Sequence, residues 1–211
     1  MTAINRDDRL RYWVDLLASV CLALATIGTA WSAYQSSLWN NKYGSSKSQM
    51  TTATIRVGKF TNLAMQKTAV HVNLFGEWSA AVHRRDTRLA DFIFARFPEP
   101  LRAATIAWQA SHQEASLEIP GTPFDLPEYE LPEDREIERW EAVAAKESDA
   151  ADQAIAIANR YLLFTIIFSS VLFFAGISGK CGLKALDVGL LALGALVLLT
   201  GMAIMLTSPR M

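Results

Sequence analysis

PEDREIERWEAVAAKESDAADQAIAIANRYLLFTIIFSSVLFFAGIS, residues Pro132–Ser178, carries no proline after its first position and no glycine before Gly176. Both residues weaken helices, so their absence allows one long helix here. Glu133 and Asp134 suit its first turn, where the helix dipole favours negative charge. A 3–4 spacing runs through Ile137, Trp140, Ala144, Glu147, Ala151, Ala154, Ala158 and Tyr161. That spacing is a heptad seam, rich in alanine and flawed at Glu147. Such a seam serves either a coiled coil between chains or an amphipathic helix packed within its own domain. The same stretch then becomes Leu162–Ser178, 17 residues without a charge. Crossing a bilayer takes about 20 apolar residues in a helix. The segment therefore predicts a helix that starts in water and ends in membrane.

Two further apolar spans flank it. Leu186–Leu206 has one acid, Asp187, at its start. Leu16–Leu38 is more polar, with Ser19, Thr26, Thr29, Ser32, Gln35, Ser36 and Ser37 inside it. A signal peptide is the alternative for this first span, with an exit near Ala30 or Ala33. The bulky residues Trp31, Tyr34 and Trp39 fit a membrane interface better than a cleavage site. The layout is a tail over 1–15, spans over 16–38, 162–178 and 186–206, and an extramembrane region over 39–161. No β-alternating run occurs, so the expected fold is all-α. It has three transmembrane helices, with a helical bundle or coiled-coil stalk between the first and second.

The extramembrane region divides further. Met50, Ala53, Val57, Phe60, Ala64, Lys67, His71, Leu74, Trp78 and Ala81 keep a 3–4 spacing and predict a second long helix. It either continues span one directly or is separated from it by a break, for which Asn40–Ser46 (NNKYGSS) is the expected place. Asp86–Phe97 and Pro100–His112 predict two shorter helices. The segment 119–133 holds Pro120, Pro123, Pro127 and Pro132, and each proline favours extended backbone in the residue before it. Phe124, Leu126, Tyr129 and Leu131 make it apolar enough to lie as a strap on the bundle.

Charge is uneven. Gln35–Gln113 has ten Lys and Arg against four Asp and Glu, and Glu114–Asp152 has three against thirteen. No domain is basic throughout, so nucleic acid is not an expected partner. The split is expected to reflect antiparallel solvated helices with complementary faces, with an ion-binding acidic face as the alternative. Arg6, Arg9 and Arg11 precede span one, and Lys180 and Lys184 lie between spans two and three; counted span by span against the opposite flanks they stand at 3:2, 2:2 and 2:1. The opposite flanks hold Lys42, Lys47, Lys146, Arg160 and Arg210. Positive residues favour the cytoplasm, so the N-terminus is expected inside and the large domain outside. Asp15 and Asp187, at span ends, read as anchors. Cys21 and Cys181 cannot form a disulfide framework.

Span one carries a stripe of small or hydroxylated residues: Ser19, Ala23, Thr26, Ala30, Ala33 and Ser37. Their 4, 3, 4, 3, 4 spacing keeps them on one helical face. Such a face packs against another helix, from the same chain or a second copy, or it lines a polar pathway. Gly189, Gly194, Ala195 and Gly201 offer span three its own close-approach sites.

Catalytic constellations are not evident. His71, His83 and His112 lack metal-ligand spacing. His83–Asp86 (HRRD) lacks the rest of a kinase signature. Ser45–Ser46–Lys47 is an isolated tripeptide, and no glycine-rich phosphate loop is present. Lys67 and His71, one turn apart on an apolar face, suggest either a pH-sensitive contact or a seam edge that finds water or a carboxylate. The expectation is a protein that is not an enzyme and has no catalytic residue, cofactor or metal.

Thr29–Gln35 (TAWSAYQ) with Trp39, Thr122–Tyr129 (TPFDLPEY) and Val171–Ser178 (VLFFAGIS) resemble a TAWSxYQ-type group of bacterial multi-pass membrane proteins, a domain family of unknown function. The resemblance covers nearly the whole chain. It implies a bacterial plasma membrane, an all-helical fold and one span before a helical region followed by two more. It implies no activity or ligand. The expected partners are the lipid bilayer, further copies of the chain in a homo-oligomer, and a protein partner met through the helical domain. The expected role is an oligomeric scaffold or sensor, with a channel or transporter subunit as the alternative.

Overall fold

A computed structural model describes residues 6–114, 121–178 and 184–211, and side chains over 12–111, 121–178 and 185–211. The Lys180–Cys181 turn, the arginine side chains of the tail, the His112 side chain and the Ile119–Pro120 start of the strap lie outside what is described. Five α-helices are described: α1 Arg6–His83, α2 Thr87–Phe94, α3 Glu99–Glu114, α4 Pro132–Ile177 and α5 Lys184–Leu206. A 3-10 turn, Pro123–Asp125, lies between α3 and α4. No strand occurs among the described residues, and the fold is all-α. Three helices, α1, α4 and α5, are long and apolar enough to cross a membrane.

Of the two arrangements open for Asn40–Ser46, the continuous one holds: α1 runs unbroken from Arg6 to His83. Gly44 is exposed within it, with no atom placed to meet an added Cβ. One glycine costs about 1 kcal/mol against alanine, too little to stop a helix extended on both sides.

The chain forms two compact units, one of residues 1–48 with 147–211 and one of 49–146. In the first, α4 buries Ala151, Ala154, Ala158, Tyr161, Phe164, Phe168, Val171 and Ala175. The small residues come first and the aromatic ones follow. Ala18, Cys21 and Ala25 of α1 and Leu191, Leu198 and Met205 of α5 complete one core cluster. Span three is thereby packed into the same core as spans one and two. Gly28 and Gly201 both lie against Phe168, where an added Cβ would fall 3.0 and 3.3 Å from its ring. Gly194 faces Phe174, but Gly189 is exposed and makes no close approach.

The second unit is built on an aromatic core. Trp78, Phe97 and Leu101 are buried, with Phe75, Phe94, Trp108, Phe124 and Tyr129 packed against them. Phe75 meets Trp108 and Phe124 edge-on, with centroids 5.6 and 5.8 Å apart. These contacts hold the strap from Gly121 onward as an ordered segment, with Pro123 and Leu131 buried. Thr122 donates its N–H and its hydroxyl to the Asp125 carboxylate at 3.2 and 2.8 Å. The strap passes into α4 with Pro132 at the first helical position, where its missing N–H costs nothing. Asp134 reaches back to accept the Leu131 N–H at 2.9 Å.

Candidate functional site

Two constellations stand out, one in each unit. The first is the α1 segment Thr29–Trp39. Ser32 and Gln35 are completely buried, whereas Trp31 and Tyr34 are exposed. The Gln35 amide donates to the Met211 carbonyl and accepts the Met211 N–H, both at 3.1 Å. Tyr161, also fully buried, donates to the Pro209 carbonyl at 2.9 Å. Ser32 donates to Met205 Sδ at 3.5 Å, and Ser36 to the Ala158 carbonyl at 3.1 Å. Gln35 clasps the backbone after α5, and Trp39 packs against the core. These polar partners lie far apart in sequence, so local pattern does not reveal them.

The stripe Ser19, Ala23, Thr26, Ala30, Ala33 and Ser37 is exposed along its whole length. Ser19 and Thr26 donate to the carbonyls of Asp15 and Leu22 on their own helix, both at 2.8 Å. The face that packs within the chain is the adjacent one, through Ala18, Cys21, Ala25, Gly28, Ser32 and Gln35. Of the seam residues, Ala151, Ala154 and Ala158 are buried within the single chain, and Ile137, Trp140 and Ala144 are half-buried. The Arg56 guanidinium lies 4.5 Å from the Trp140 ring centroid.

The second constellation joins the strap to α1. His71 is buried, and its Nδ1 lies 2.7 Å from the Tyr129 hydroxyl. The rings meet edge-on with centroids 5.7 Å apart. Thr68 is within 3.5 Å of the same hydroxyl. Lys67 binds the Glu133 carboxylate at 2.5 Å. Burial, and then the nearby Lys67 charge, hold the His71 imidazole below its ordinary value. The Lys67 hydrogen bond holds Glu133 below the usual carboxylate range. Burial pushes the Tyr129 phenol up. The expectation that this pair finds a carboxylate is met by Lys67, while His71 instead faces a phenol from the strap. A groove of about 650 Å³ opens beside them, lined by Ala64, Met65, Thr68, Tyr129, Leu131 and Ile137.

Among the described residues, no group of three or more His, Cys, Asp or Glu is placed to hold a metal. Ser46 is wholly buried and its hydroxyl has no partner among the described residues. His83 is exposed beside the α1 terminus. Comparison with protein families, curated proteins and solved structures finds no match.

Proposed function

We propose that this chain is an oligomeric membrane scaffold or sensor whose helical domain is coupled to its membrane helices. The observation that carries the reading is continuity. α1 and α4 each contain an apolar span and continue as the same helix into the unit of residues 49–146. A rotation or shift of either helix is then felt at both ends, because an unbroken hydrogen-bonded helix transmits it. Ser36 and Ala158, hydrogen-bonded to each other, tie the two helices at the junctions Gln35–Ser46 and Ala154–Leu162.

The exposed stripe on α1 supports assembly. Small residues allow helix backbones to approach closely in a bilayer. Its Ser19 and Thr26 hydroxyls already bond their own backbone, which suits a packing face better than a polar pathway. The resemblance to the TAWSxYQ-type group supports a bacterial plasma membrane. The Lys and Arg bias supports a cytoplasmic N-terminus and an extracytoplasmic helical domain. Nothing in this reading requires a catalytic step.

The test is the Ala23→Leu/Ala30→Leu variant, with particle mass in mild detergent and ion flux in vesicles as readouts. Loss of assembly supports packing through the stripe. Intact assembly with lost flux replaces the scaffold with a channel subunit. A strictly monomeric wild-type protein overturns the oligomeric reading.

A further inference from the structure

The turn between α1 and α2 leaves cations and apolar side chains exposed together. Asp86 N–H donates to the Ala81 carbonyl, and Arg85 N–H donates to that of Val82, both at 3.0 Å. This is the Schellman pattern that ends a helix with a left-handed residue. Arg85 is that residue, at φ 61°. Asp86 then caps α2, accepting the Leu89 N–H at 3.0 Å. Its carboxylate is occupied with backbone rather than with a neighbouring guanidinium. Among the described residues, Arg84, Arg85 and Arg88 make no ion pair. Residues 82–97 carry four arginines against two aspartates.

Between these charges the apolar side chains face outward. Val82, Leu89 and Phe92 are 49%, 41% and 53% exposed. Leu89 and Phe92 line one shallow surface with Arg88 and with Asp86, whose carboxylate is the α2 cap. The Arg96 guanidinium lies 3.6 Å from the Phe92 ring centroid and donates to the Phe92 carbonyl at 2.9 Å. The inner face of α2 is engaged elsewhere, with Ala90 buried and Ile93 and Phe94 packed on the aromatic core. The outer face therefore alternates guanidinium groups with apolar tips. This pattern suits a bilayer surface, where arginines meet phosphates and Leu and Phe enter the acyl boundary. A protein partner would favour a contiguous apolar patch, and here every apolar side chain is flanked by charge.

We propose that the α1–α2 elbow, through Arg84, Arg85, Arg88, Leu89 and Phe92, docks on an anionic phospholipid surface. The charge complementarity is direct: unpaired guanidinium groups meet phosphodiester headgroups. This reading is independent of the oligomeric state. Each arginine near such a surface changes binding about fivefold.

The experiment uses the full chain in nanodiscs of phosphatidylcholine, mixed with free vesicles and separated by flotation. Vesicles containing phosphatidylglycerol are expected to carry the protein upward at low salt, and added salt to release it. Pure phosphatidylcholine vesicles are expected not to. Arg84→Gln/Arg88→Gln should weaken capture by more than tenfold, and Leu89→Ser/Phe92→Ser should abolish its salt-resistant part. Arg135→Gln/Arg139→Gln, on the exposed side of α4, should change nothing. Absence of capture, equal capture by neutral vesicles, or equal loss in the α4 variant overturns the proposal. Binding to polyglutamate without vesicle capture overturns it in favour of an acidic protein partner.

Discussion

The Phe168 ring lies so close to Gly28 that a Cβ on residue 28 would sit 3.0 Å from two of its carbons. Gly201 confines the same ring from α5, where an added Cβ would lie 3.3 Å from it. The ring cannot retreat from one glycine without meeting the other helix. In a bilayer, close packing of this kind supplies much of the force between helices. Gly28→Ala is expected to destabilise the first unit by about 1–3 kcal/mol, as overpacking does. Thermal unfolding in detergent measures this. Phe168→Leu in the same background should recover part of the loss, giving a coupling above about 0.5 kcal/mol in a double-mutant cycle. Gly44→Ala, with no atom to meet, should instead stabilise by up to about 1 kcal/mol. Equal effects at positions 28 and 44 would contradict the packing described.

The two glycines also mark how far the fold is legible in the sequence. α4 can be read as one helix because its breakers sit at its ends and its seam has a clear period. The 3–4 pattern from Met50 to Ala81 likewise marks the inward face of α1, with Lys67 the residue that reaches outward. The packed face of α1 in the membrane is harder to read. Two adjacent faces are both made of small residues, and they differ by one position of phase. Glycine is the distinguishing residue: only the inward face holds Gly28 against a ring. Continuity across Gly44 is hidden because a single glycine weighs little in a long helix. The Gln35 clasp and the Tyr129–His71 contact join residues far apart in the chain, and neither leaves a local signal.

The His71–Tyr129 contact makes the strap sensitive to acid. The folded imidazole titrates below its ordinary value of 6.5. The unfolded chain therefore binds more protons as pH falls below that value, and stability falls with it. In the charged imidazole Nδ1 is a donor, so the Tyr129 hydroxyl must accept from it, with Thr68 within 3.5 Å of the same hydroxyl. Lys67 on the same helix opposes the new charge, and Glu133 is already paired with that lysine. Protection of the strap amides over 121–131, corrected for the intrinsic exchange rate at each pH, should fall in the window below the ordinary imidazole value of 6.5. His71→Leu should remove this window. A second loss, below the ordinary carboxylate value of 4.5, should persist from Glu133. A wild-type strap with flat protection across the first window would refute the coupling.

Arg85 pays for its left-handed backbone. A residue with a Cβ costs roughly 1–2 kcal/mol in that conformation, and glycine does not. Arg85→Gly is therefore expected to raise the melting temperature of the helical unit. Asp86→Ala, one residue later, should lower stability by about 1 kcal/mol through loss of the α2 cap. Circular dichroism melts of the two variants should move in opposite directions. A fall in both would show that the Arg85 side chain contributes more than its backbone costs.

Gln35 presents a single buried amide to both backbone groups of Met211. Its own burial is complete, so each hydrogen bond it makes replaces water that cannot enter. Gln35→Leu removes both partners at once and leaves the amide and carbonyl of Met211 exposed to competition from solvent. Met211 is exposed, so water can replace the lost amide and the segment after α5 should loosen. Tyr161, which holds Pro209 at 2.9 Å, is the second tether. Amide exchange over 207–211 should rise modestly in Gln35→Leu and in Tyr161→Phe. In the double variant it should rise to the rate of free chain, because either tether alone keeps the segment seated. Gln35→Glu separates shape from hydrogen bonding: it still accepts the Met211 N–H but repels the carbonyl it replaces a donor for, so it should resemble Gln35→Leu. Exchange unchanged in the double variant would show that packing of Met205 and Ser208, both buried, seats the segment without the clasp.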